Sequence, residues 1–99
     1  MVEREIKWTR KALEDKISIM EFWFLKTGYT DYPVKLENLF NATLSIVTQL
    51  PRMGTFFDEK RNIHFVIVRD YKIYYTFTED EVTVLAIWDT RRNEDIFII

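Results

Sequence analysis

Residues 61–93 read RNIHFVIVRDYKIYYTFTEDEVTVLAIWDTRRN, and this stretch decides the fold. Three runs rich in β-branched and aromatic side chains, residues 63–68, 71–78 and 82–88, are separated only by Arg69-Asp70 and by Glu79-Asp80-Glu81. Runs of that kind between short polar breaks read as strands. Such short joints force antiparallel neighbours, because a parallel crossover needs roughly a dozen residues or more. The expected frame is a three-stranded meander that exits through Arg91-Arg92-Asn93.

Upstream, residues 5–8 (EIKW) alternate Ile6 and Trp8 with charged neighbours, the pattern of an edge strand with one buried face. Thr9 suits a helix N-cap. The spacing predicts a helix over 10–26, with Leu13, Ile17, Met20 and Phe24 as its sheet-facing stripe. Ala12, Ile19 and Trp23 widen that stripe, and Glu14, Asp15, Lys16 and Glu21 lie largely on the wet side. Gly28 stops the helix. A turn over 29–32, with Asp31 as cap, leads to Pro33 in the first turn of a second helix that continues to Gln49. Its buried stripe is Leu36, Phe40, Thr43, Val47 and Leu50. Leu50-Pro51-Arg52-Met53-Gly54 ends it, and 55–60 reads as a loop. The fold class expected is α+β in the order β-α-α-β-β-β. An antiparallel sheet of about four strands carries an N-terminal helical hairpin on one face, in a single domain over 1–99.

Composition excludes several function classes. The chain has 99 residues, 47% of them hydrophobic, which suffices for one core. It has no cysteine, and no HExxH, P-loop, GxGxxG or Ser/His/Asp motif, so neither a metal nor a cofactor is expected. The net charge of −2 argues against non-specific nucleic-acid binding. The N-terminus, MVEREIKW, has no apolar signal core, and no apolar run could span a bilayer. A cytoplasmic protein without a membrane partner is the expectation.

Few residues can carry chemistry. His64 reads as a structural histidine or, less simply, as a general base. In the middle strand, alternation sets Lys72, Tyr74 and Thr76 on the face opposite Tyr71, Ile73, Tyr75 and Phe77. The former set could form a groove meeting RNA or protein. Arg91 and Arg92 are either a solvated strand exit or clamps for phosphate or carboxylate. The tail Ile96-Phe97-Ile98-Ile99 either packs back on the domain or docks a partner by strand addition.

Taken in order, Lys7-Trp8-Thr9, Lys11-Ala12-Leu13-Glu14-Asp15, Leu50-Pro51-Arg52-Met53-Gly54, Tyr71-Lys72-Ile73-Tyr74-Tyr75 and Trp88-Asp89-Thr90-Arg91-Arg92-Asn93 resemble the RelE/ParE superfamily of toxins from type II toxin–antitoxin systems. The resemblance implies a growth-inhibiting toxin neutralised by a cognate antitoxin. It also implies either a homodimer or a toxin–antitoxin hetero-oligomer. RelE-like members cut mRNA on the ribosome without a metal, and ParE-like members poison DNA gyrase. In the first case Lys72, Arg91 and Arg92 match the catalytic basic positions, whereas the C-terminal tyrosine common there is absent. The double arginine is similar to the ParE-type ending, which favours inhibition of a protein target. A third reading is a degenerate member that only binds antitoxin. The target-binding candidates are Arg61, His64, Arg69, Tyr74, Arg91 and Arg92. The antitoxin-binding candidates are Phe97, Ile98 and Ile99.

Overall fold

Five strands, two helices and a 3-10 turn make up residues 3–92, the part described by a computed structural model. They are β1 (Glu5–Trp8), α1 (Arg10–Thr27), α2 (Asp31–Gln49), the 3-10 turn (Pro51–Met53), β2 (Thr55–Asp58), β3 (Ile63–Val68), β4 (Tyr71–Phe77) and β5 (Glu81–Asp89). The strands form one sheet in the order β1-β5-β4-β3-β2. The expected residues Phe97, Ile98 and Ile99 lie outside the described residues. No helix among those described is long and apolar enough to cross a membrane.

The meander is antiparallel as its short joints require, with β4 between β3 and β5. Arg69 makes the tight β3–β4 turn in the left-handed region, at φ 57°. Two features depart from the expectation. Residues 55–58 form a strand, β2, rather than part of a loop. This strand is only four residues long and its register slips between Phe56 and Asp58, so it leaves little alternation to read. In addition, β1 joins the other side of the sheet in parallel, pairing Ile6 with Val82 and Trp8 with Val84. A four-residue strand carries no sequence signal for its direction.

One core lies between the helices and the sheet. Leu36, Phe40, Leu44 and Val47 of α2 meet Ile73, Tyr75, Val82 and Val84, all fully buried. Leu44, expected alongside the stripe, is fully buried, whereas Leu50 is exposed because the chain turns away at Pro51. Thr9 caps α1, accepting from the Ala12 N–H at 3.1 Å, and Gly28 ends it at φ 77°. Thr30, not Asp31, occupies the N-cap position of α2.

The inner face of α1 is Ala12, Ile19, Met20 and Trp23, with Asp15 and Lys16 only partly exposed among them; of the expected stripe Met20 alone packs on the core. Leu13, Ile17 and Phe24, expected against the sheet, point outward. The cause lies at the edge of β5. β1 stops at Trp8, opposite Val84, so among the described residues the rest of that edge has no strand beside it. Thr9 donates its backbone N–H to the Val84 carbonyl (3.1 Å) and its hydroxyl to the Leu85 carbonyl (3.2 Å). One helical turn later, the Asp15 carboxylate accepts the Ile87 N–H (3.0 Å) and the Lys11 ammonium (2.9 Å). Turning Asp15 inward rotates the best apolar stripe out.

The Leu50–Gly54 motif is a packing device. The Tyr75 hydroxyl donates to the Pro51 carbonyl (2.7 Å) and accepts the Gly54 N–H (3.2 Å), tying this connection to the centre of β4. A Cβ on Gly54 would lie 2.5 Å from that hydroxyl and 2.8 Å from the Phe65 carbonyl. Glycine is therefore required by space, at an ordinary negative φ of −75°. Tyr75→Phe is expected to destabilise the fold by about 1–3 kcal/mol, since it strands a buried N–H and a buried carbonyl. Gly54→Ala is expected to cost at least as much. Urea unfolding midpoints check both.

Candidate functional site

Alternation along β4 points Lys72, Tyr74 and Thr76 to the sheet face that the helices leave uncovered. The register sets Lys72 between Ile67 and Trp88, and Tyr74 between Phe65 and Ala86. Pairing jumps from Ala86 to Val84 as β4 passes from Tyr74 to Tyr75, so Leu85 is a bulge. Ile63, Tyr74, Ala86 and Trp88 form a second apolar cluster there, with Phe65 and Leu85 against it. Two cations stand on it. The Lys72 ammonium lies 4.7 Å over the Phe65 ring, and the Arg92 guanidinium lies 4.8 Å over the Trp88 ring. Cation–π attraction holds both stems against the sheet.

Arg91 goes the other way. Its Nε and a terminal nitrogen bind the two oxygens of Asp89 at 2.9 and 2.8 Å, and its backbone N–H adds a third bond at 2.9 Å. The guanidinium sits 5.8 Å from the Trp23 ring on the helix side. This clamp holds the Asp89 carboxyl below the usual carboxylate range and raises the Arg91 guanidinium. Trp23 in turn donates its indole N–H to the Tyr71 hydroxyl at 2.8 Å. Burial raises the Tyr71 phenol, and the Trp23 bond opposes that rise. Arg92 also reaches the rim of a cavity of about 320 Å³ between α1 and the end of β5, lined by Asp15, Ser18, Tyr71 and Asp89 among others.

The remaining candidates are dispersed. His64 is 2% exposed on the helix side of β3, its ring stacked on Phe56 (4.4 Å between centroids) and Tyr75 (5.5 Å). Asn62 donates its amide to the Phe77 carbonyl, so its oxygen faces His64 Nε2 at 2.9 Å and assigns the ring proton to that nitrogen. Burial pushes the His64 pKa down, and the charge of Arg52 adds to this against the Gly54 backbone. A neutral, enclosed imidazole on the far face meets neither Lys72 nor Arg92. Tyr74, expected at a target surface, is 1% exposed beneath its neighbours. Arg61 is bound to Asp58 (2.7 Å) in the β2–β3 turn, and Arg69 is exposed at the β3–β4 turn.

Of the basic candidates, Lys72 and Arg92 therefore share a face, and Arg91 is withdrawn from it. The Asp89 clamp was open to reading from its place two residues before Arg91. The Phe65 and Trp88 platforms were not, because they depend on register across three strands.

His64 makes stability pH-dependent. Its folded pKa is depressed below the ordinary 6.5, so the unfolded state binds the extra proton first. Stability is full above that value and falls as pH drops through the window down to the folded pKa. His64→Phe should flatten this slope, as read from urea midpoints at about pH 7.5 and about pH 5.5.

Neither a protein-family model nor a curated protein sequence matches the chain. A solved structure described as "Chromosomal ParDE TA system from P. aeruginosa" is similar, with a TM-score of 0.70 and 18% sequence identity. The match covers 86% of this chain and 94% of that one. At this identity the likeness is one of fold alone.

Proposed function

We propose that this chain is the toxin of a toxin–antitoxin pair, and that it acts by binding and inhibiting a protein target in the manner of ParE. The fold it shares with a chain of a ParDE system supports the first part. One observation carries the second. The side chains that phosphoryl chemistry would need are divided between two faces: Lys72 and Arg92 on one, the clamped Arg91 and the buried His64 on the other. General acid–base help requires a titrating group within hydrogen-bond reach of the reacting oxygen, and the only histidine is enclosed elsewhere. What the face opposite the helices offers is two positive charges on aromatic supports, a combination suited to a partner surface.

The same pair favours RelE-like mRNA cleavage as the second reading, because cations beside aromatic faces also suit a nucleotide chain. In that reading charge stabilisation by Lys72 and Arg92 would carry the reaction without a positioned base.

Expression without an antitoxin is expected to stop growth. The purified protein should then inhibit DNA gyrase supercoiling and leave mRNA intact in a translating extract, as read by primer extension. Ribosome-dependent breaks would overturn the proposal in favour of the second reading. Unimpaired growth with folded protein present would leave an inert family fold. Arg92→Ala should weaken toxicity at least about tenfold in the inducer dose required, by loss of a charge contact with the target. Arg91→Ala should act mainly through stability.

A further inference from the structure

The sheet face opposite the helices is buried more deeply than the elements around it account for. Tyr74 is 1% exposed and Trp88 8%, with Ile63 and Ala86 buried beside them. Both helices pack on the other face, against Ile73, Tyr75, Val82 and Val84. Among the described residues no element crosses Tyr74. Phe57 and Phe65 flank its ring, at 5.0 and 5.6 Å between centroids, and the Lys72 ammonium stands over Phe65. A side chain on a strand stands roughly perpendicular to the sheet, so flanking rings cover the sides of a tyrosine and not its tip. Burial this complete needs further atoms above the ring. The cover is local, because Ile67, on the same face beside Lys72, is 63% exposed.

We propose that residues 93–99 lie back across this face as a strap, covering the patch beside which Lys72 and Arg92 stand. The burial belongs to a single chain, so neither a second copy nor a partner provides it. The chain departs from a suitable place. Arg92 donates its N–H to the Asp89 carbonyl at 3.0 Å, which reverses the backbone, and its guanidinium lies 4.8 Å over the Trp88 ring. Crossing from β5 to β2 takes three strand spacings, about 14 Å. Seven residues extend to about 23 Å at most, which is enough. The sequence runs in the matching order. Glu94 and Asp95 come first, nearest the cations Lys72 and Arg92, and Ile96-Phe97-Ile98-Ile99 follow toward Phe57 and Phe65. A second part rests on the proposed function: if this face meets the target, strap and target compete for it.

The chain has no cysteine, so engineered pairs report without background. Phe57→Cys is combined in the full chain with Phe97→Cys or with Ile98→Cys. Ile17→Cys, on the exposed outer side of α1, is the control partner for the same two tail positions. After mild oxidation at least one Phe57 pair is expected to close within the monomer, and the Ile17 pairs to stay open. Open Phe57 pairs, equal closure at Ile17, or closure only between two copies would overturn the strap. Deleting residues 93–99 should lower Tm by at least about 5 °C, and an unchanged Tm would count equally against it. The cross-linked form should inhibit gyrase at least about tenfold more weakly than the same protein with reductant. Equal inhibition by both forms overturns the competition alone. Inhibition by neither overturns the gyrase reading, and the cross-link then decides the strap by itself.

Discussion

The structure depends on how one sheet edge is finished. β5 runs on past Trp8, where its parallel partner ends, and its outer backbone groups would otherwise face an apolar helix without hydrogen bonds. Leaving a buried amide or carbonyl unpaired costs about 1–3 kcal/mol each, comparable to a good part of a small domain's net stability. Thr9 and Asp15 remove that cost by acting as a continuation of β1 made from side chains. This requirement fixes the rotation of α1 and brings Ala12, Ile19 and Trp23 to the core. The position of Trp23 then sets Tyr71 by hydrogen bond and meets Arg91 by its ring face. One edge thus decides which side of α1 is wet and which of the two C-terminal arginines stays on the helix side.

That division gives the molecule two surfaces of opposite character. The sheet face opposite the helices carries Lys72 and Arg92 over aromatic rings, whereas the hairpin turns Leu13, Ile17 and Phe24 outward.

The order of elements was legible because the meander has short joints and dense β-branched runs, and because Thr9, Gly28 and Pro51 punctuate the helices. The buried stripe of α2 was legible for the same reason: Leu36, Phe40 and Val47 lie on a helix packed squarely on a sheet face. The stripe of α1 was misread because periodicity reports where an apolar face is, not what it faces. A carboxylate that completes a strand edge looks in sequence like any solvated aspartate. His64 was expected at a target surface; its enclosure depends on Phe56, from a strand too short to recognise. Among the site candidates, sequence identified the charged residues and could not sort them. Their sorting depends on the Leu85 bulge and on Asp89, which send neighbouring arginines to opposite sides.

The pairing of β1 with β5 has a temporal consequence. The first strand of the chain finds its hydrogen-bonding partner only in the last, with more than seventy residues of intervening sequence, as Ile6 with Val82 illustrates. During synthesis the helical hairpin emerges early, but the edge that orients α1 does not exist until β5 has been made. Contacts so distant along the chain are entropically expensive and form late. The sheet face opposite the helices is therefore unfinished until β5 has been made, and any activity of that face waits for it.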